Sequence, residues 1–287
     1  MRYQAALRPD SWYSNPMKVP LWGRSELFPS GGENPGTMIQ RPTTTLTWLQ
    51  PGDPFPPIET AWGEMDGAPG LLAAGGALDV PTLIAAYSHG IFPWFSEGQP
   101  ILWWSTNPRM VLRLENFKLH RSLRQAIKRF AKNATCEIRI DSAFAKVIDA
   151  CAQVSRNGEP GTWILPPMVK AYTDLHHVNK AHSVETWIDG QLVGGLYCVA
   201  LGRAVFGESM FALQTDASKI ALAALVAICK RAGIQMIDCQ QNTAHLASLG
   251  AREIHRSDFV AHVAAVRDAT APTWKFEPLY WNELLAD

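Results

Sequence analysis

Asp238 and Gln240 stand two positions apart at the end of the apolar run Met236-Ile237-Asp238-Cys239-Gln240-Gln241. A carboxylate there can orient or deprotonate an incoming amine, and a carboxamide can hold the same group as donor and acceptor together. If a strand continues through both, its period of two aims both side chains the same way. The competing reading is a carboxylate that caps a turn. Glu208, in Gly207-Glu208-Ser209-Met210-Phe211, is the second candidate. A Glu among apolar residues is costly unless hydrogen-bonded, so it either braces a neighbouring loop or meets a ligand. His182 and His245 are isolated and read first as structural residues. Ser209 lacks the G-x-S-x-G elbow of a hydrolase. The chain has no P-loop and no G-x-G-x-x-G, which argues against nucleoside triphosphates and dinucleotides.

A different chemistry is offered by Gly90-Ile91-Phe92-Pro93-Trp94-Phe95, followed by Ile101-Leu102-Trp103-Trp104-Ser105. Pro and Gly interrupt this aromatic run, so it is not one core helix. Flat apolar faces carried on a loop suit unstacked nucleobases. Arg121, Arg124 and Lys128 follow one another at steps of three and four residues and share one face of a predicted helix. That face is either plain solvated surface or a strip that contacts phosphate.

These residues need elements to hold them. Asp79 as N-cap, with Pro81 in the first turn, starts a helix that Gly90 stops. Met110 to Leu114 reads as a strand and Ser122 to Lys132 as a helix. From Cys136 onward the predicted order is strand 137–140, helix 144–153, helix 167–179, strands 183–188 and 191–200 joined at Asp189-Gly190, and strand 204–209. Helix 218–232, strand 235–239, helix 244–249 and helix 257–269 follow. Strands that meander and then alternate with helices predict an α+β fold, a mixed sheet covered by helices. Residues 1–37 are rich in Pro, Gly, Ser and Asn and read as a disordered or non-native extension, with Met38 as a candidate start.

The chain has 287 residues, 47% of them hydrophobic and 18% charged, with a formal net charge of zero. A large core is therefore expected, and any RNA contact should be local. Five scattered cysteines without a C-x-x-C pair predict free thiols and no zinc. No apolar run approaches the roughly 20 residues of a membrane span. A monomer in the cytoplasm is the expectation.

The motifs Leu71 to Leu78, Gly90 to Phe95, Leu102 to Ser105 with Pro108-Arg109, Gly161-Thr162-Trp163-Ile164, Val193 to Tyr197, Gly207 to Phe211, Ala217-Ser218-Lys219, Ile237 to Gln240 and Leu246 to Ala251 keep one order along the chain. In this they resemble the leucyl/phenylalanyl-tRNA–protein transferase family. The resemblance implies a small N-terminal domain (38–108), a Gcn5-type acetyltransferase-like catalytic domain (109–275) and a tail (276–287). It implies transfer of Leu or Phe from Leu-tRNA or Phe-tRNA to proteins starting with Arg or Lys, which marks them for degradation. It implies no metal, no coenzyme, no DNA and no membrane partner. Trp94 and Trp163 match the family's 3′-adenosine site. Leu196, Val205, Leu222, Leu225 and Ile237, with Glu208 beside them, match its aminoacyl pocket. Asp238 matches the proposed catalytic acid and Gln240 its partner, and Arg121, Arg124 and Lys128 match a region that meets tRNA phosphate. Two rivals remain at this point. An acyl-CoA N-acyltransferase would need a Gly-rich turn for pyrophosphate, and Ala212 to Asp216 has no glycine. A non-catalytic RNA-binding module would leave Asp238 and Gln240 idle.

Overall fold

A computed structural model describes residues 45–153 and 164–286. The chain divides into two compact units, whose described parts are 45–107 and 108–286. Residues 1–37 and Trp163 lie outside the described residues.

The smaller unit is built on a four-stranded sheet in the order β1-β2-β4-β3. Its strands are β1 (Thr47–Leu49), β2 (Leu71–Gly75), β3 (Phe92–Pro93) and β4 (Leu102–Trp104). Helix α1 (Val80–Ser88) starts where the sequence predicts, with the Asp79 carboxylate accepting the Thr82 N–H at 2.9 Å. Such a cap stabilises a helix by about 1 kcal/mol. The aromatic run is split between sheet and loop. Trp103 and Trp104 are buried in β4, and their indole N–H groups donate to Gly75 O at 2.9 Å and to Trp94 O at 2.7 Å. Gly75 is required at its place: its φ is +82°, and a Cβ there would lie 2.6 Å from Leu49 O.

The larger unit holds a seven-stranded mixed sheet in the order β11-β5-β10-β9-β8-β7-β6. The strands are β5 (Arg109–Arg113), β6 (Cys136–Ile140), β7 (Ala181–Ile188), β8 (Gln191–Leu201), β9 (Ala204–Ala212), β10 (Met236–Gln240) and β11 (Arg252–Ile254). β9 and β10 pair in parallel and the other neighbours are antiparallel. β7 and β8 form the predicted hairpin. Asp189 and Gly190 have φ of 50° and 71°, the two positive values that a type I′ turn demands.

Helices α2 (Arg121–Lys132), α3 (Phe144–Gln153), α4 (Pro166–His177), α5 (Ala217–Arg231), α6 (Ala244–Ser248), α7 (Arg256–Val266) and α8 (Asn282–Leu285) complete the unit. Helix α5 links the parallel strands β9 and β10 and lies on one face of the sheet, buried along nearly its whole length. Leu196 and Cys198 of β8 pack in its core cluster, whereas Tyr197 between them meets Phe144 of α3 and Tyr172 of α4. Alternation along β8 therefore puts α5 on one face and α3 and α4 on the other. The α5 side is packed tightly enough that a Cβ at Gly194 would lie 2.5 Å from Ala217 Cβ.

Candidate active site

β10 does not run straight through the candidate pair. Asp238 pairs with Val111 and Gln240 with Met110, so Cys239 is an extra residue and the strand bulges. Gln240 takes a left-handed backbone with φ of 57°, and the Gln241 N–H donates to Cys239 O at 2.6 Å. Simple alternation is thus corrected by the bulge. Both side chains still reach the sheet face opposite α5. Arg109, at the start of β5, donates from Nε to Asp238 Oδ1 at 2.8 Å and from Nη2 to Oδ2 at 2.7 Å. Phe259 of α7 lies against the guanidinium, 4.6 Å from its carbon to the ring centroid. Asp238 Oδ1 also accepts the Gln240 backbone N–H at 3.0 Å.

From Gln240 the network continues. Its Nε2 donates to Glu208 Oε1 at 3.1 Å, and Tyr172 of α4 donates its hydroxyl to Glu208 Oε2 at 3.2 Å. Glu208 is itself lifted out of the β8–β9 pairing, between Gly207 opposite Cys198 and Ser209 opposite Tyr197. Arg109, Asp238, Gln240 and Glu208 are each at most 1% exposed. Such polar groups persist in a low-dielectric layer only because each has bonded partners. The arrangement can hold a fixed carboxylate, a carboxamide of defined direction and a second carboxylate beside it.

Asp238, Gln240 and Glu208 are therefore brought together. The apolar five are not brought to that side. Leu196, Val205, Leu222, Leu225 and Ile237 all belong to the core cluster on the α5 face, each at most 2% exposed. Val205 also borders a small cavity beside Asp238, Phe259 and His262. Trp94 is half-buried in the smaller unit, tilted at 56° to Trp104 with ring centroids 5.5 Å apart. On α2, Arg121 and Lys128 are exposed, and Arg124 is half-buried and donates to Leu285 O at 3.3 Å.

Sequence reasoning missed Arg109 as a partner and Tyr172 altogether. Only the placement of Arg109 after Pro108, beside the aromatic motif, was a signal. His182 is buried away from this network, with its Nδ1 2.7 Å from Asp141 Oδ2 and Trp274 stacked on its ring at 4.0 Å. Elsewhere in the unit, a cavity of about 440 Å³ is lined by Arg139, Asp141, Phe144, Thr173, His176 and Trp187. No helix among the described residues is long and apolar enough to cross a membrane.

The larger unit is an α+β fold with a polar network at the end of a parallel strand, and comparison with known proteins gives its class. The family model of leucyl/phenylalanyl-tRNA protein transferase matches residues 111–264, and the model of that family's N-terminal domain matches 76–107. The chain is 67% identical over 240 residues to the leucyl/phenylalanyl-tRNA–protein transferase of Polaromonas sp. strain JS666, covering 84% of this chain and 94% of that one. It is 56% identical over 241 residues to the protein of the same name in Paraburkholderia phytofirmans, covering 84% and 98%. The chain belongs to the leucyl/phenylalanyl-tRNA–protein transferase family and is an aminoacyltransferase. Among solved structures, a GCN5-related N-acetyltransferase from Kribbella flavida is similar at 11% identity and a TM-score of 0.31, covering 58% of each chain.

Proposed function

We propose that this chain transfers Leu or Phe from its aminoacyl-tRNA to the N-terminal α-amine of proteins beginning with Arg or Lys, in the cytoplasm, and so marks them for proteolysis. The observation that carries the reading is the continuous hydrogen-bonded chain from Asp238 through Gln240 to Glu208. A free α-amine ordinarily titrates at about pH 8, so it is largely protonated at neutral pH and must lose a proton before it attacks. Its nitrogen then bonds the ester carbonyl carbon, the bond to the ribose oxygen breaks, and that oxygen takes up a proton. The ester is already activated, so positioning supplies much of the acceleration.

In this reading Gln240 orients the amine. Asp238 has both oxygens bonded and a side chain only 1% exposed, which suits a fixed negative charge better than a direct proton acceptor. A hydroxyl of the terminal ribose relays the proton. Gln240 and Glu208 are buried too, so access for the amine requires movement of what covers them. Trp94 and Trp163 stack the terminal adenine. To form the apolar wall for the Leu or Phe side chain, Leu196, Val205, Leu222, Leu225 and Ile237 would have to open the core in which they pack on the α5 face; such a wall rejects polar side chains better than it separates similar apolar ones. Arg121, Arg124 and Lys128 meet acceptor-stem phosphates.

The test supplies Leu-tRNA and a peptide starting with Lys or Arg, read by mass spectrometry. Leucylated peptide is expected from the wild type. It is lost in Asp238→Ala, with tRNA binding kept. Bound tRNA without leucylated peptide from the wild type favours a binding module instead. Acetylated peptide from labelled acetyl-CoA favours the acyl-CoA reading.

A further inference from the structure

We propose that Arg109 is a positioning residue for the transfer reaction. Its guanidinium fixes the Asp238 carboxylate, and that carboxylate fixes the turn that aims the Gln240 carboxamide. The proposal rests on the reading of Asp238 and Gln240 as the groups that handle the amine.

Several observations point the same way. The pair is bidentate, with bonds of 2.8 and 2.7 Å, so it sets the plane and rotation of the carboxylate as well as its distance. Phe259 against the guanidinium restricts its tilt. The oxygen that takes the Arg109 Nε bond is the one that accepts the Gln240 N–H, so the fork and the turn share an atom. Gln240 needs that hold: its left-handed backbone is one that a non-glycine residue rarely adopts. Glycine would take the turn freely but carries no carboxamide for Glu208. Gln240 is therefore a side chain that the site requires in a backbone state that it resists, and the bond its N–H donates to Asp238 Oδ1 helps to hold it there.

Stability alone does not call for such a pair. Burying two ions is costly, and apolar replacements of a buried pair are often as stable. What an apolar pair cannot do is present an oxygen to the Gln240 N–H. A lysine at 109 would keep the charge but not the fork, because an ammonium lacks the planar pair of donors.

The experiment compares the wild type with Arg109→Lys, Arg109→Gln, Asp238→Asn and the double variant Arg109→Gln/Asp238→Asn. Single-turnover transfer from Leu-tRNA to an Arg-starting peptide is measured beside the KM for tRNA, with thermal unfolding as a control for folding. Arg109→Lys keeps a cation beside Asp238 and is expected to fold. Its turnover should fall at least 10-fold, with the KM for tRNA within twofold of wild type. Arg109→Gln should lose at least 100-fold. In the double variant, Arg109→Gln should cost no more than threefold beyond Asp238→Asn, because its route runs through that carboxylate. Wild-type turnover in Arg109→Lys overturns the proposal, as do losses that multiply in the double variant or a loss confined to the KM for tRNA. The underlying reading fails differently: Asp238→Asn then keeps full activity, which sinks both.

Discussion

At the scale of single residues, Trp94 differs from the tryptophans around it. Trp103 and Trp104 are spent on packing and on indole N–H bonds, whereas Trp94 is only half-buried. Stacking a base on an aromatic ring contributes about 1–3 kcal/mol. Trp94→Ala should therefore raise the KM for Leu-tRNA by roughly 5- to 150-fold while turnover at saturating tRNA changes little. An unchanged KM for tRNA would remove Trp94 from the base site. His262 makes a separate prediction about pH. Burial, with the Arg113 cation nearby, pushes its imidazole below the ordinary histidine value, so the folded state resists protonating it. The stability it contributes is present above the unfolded pKa, near 6.5, and is lost as pH falls through the lower folded value. Wild-type protein should lose more Tm between pH 7.5 and 5.5 than His262→Gln does. Equal losses in the two proteins would show that this imidazole is not coupled to folding.

At the scale of elements, the contact between β8 and α5 holds the sheet against its longest helix. Gly194→Ala would drive a Cβ to 2.5 Å from Ala217 Cβ and 2.9 Å from the Ala217 carbonyl carbon, and backbone cannot give way as a flexible side chain does. Overpacking of this kind costs about 1–3 kcal/mol. A Tm several degrees below wild type is expected, and an unchanged Tm would mean that helix and strand slide apart freely. The same elements separate what the sequence makes legible from what it does not. The start of α1 at Asp79 and the turn at Asp189-Gly190 were legible because their chemistry is complete within a few residues. The bulge at Cys239 was not. A left-handed Gln carries no local sign, so alternation read the strand as straight. The partner of Asp238 lies 129 residues away, and spacing says nothing at that distance. Strands as short as Phe92–Pro93 and Thr47–Leu49 pair with distant segments and give no usable period. The apolar five were named through family resemblance; periodicity alone reads them as core, and that is how they pack.

At the scale of the whole molecule, charge must be placed rather than accumulated. With a formal net charge of zero, the protein has no general attraction for nucleic acid, so affinity for tRNA phosphate has to come from a local patch. Helix α2 carries the proposed one. Leu123, Ala126, Ile127 and Phe130 bury its inner side, which leaves Arg121 and Lys128 exposed. Arg124 is partly committed to Leu285 O, which ties α2 to α8 and makes it the weaker candidate for phosphate. Each neutralised phosphate releases counterions, so the logarithm of affinity falls linearly with the logarithm of salt, by somewhat under one unit of slope per contact. Arg121→Ala/Lys128→Ala should weaken binding of Leu-tRNA and flatten that slope by roughly 1–2 units, while turnover at saturating tRNA stays near wild type. Arg124→Ala should cost more Tm than salt slope. A double variant whose salt slope matches the wild type would assign α2 to solvent and require the phosphate contacts to be sought on another face.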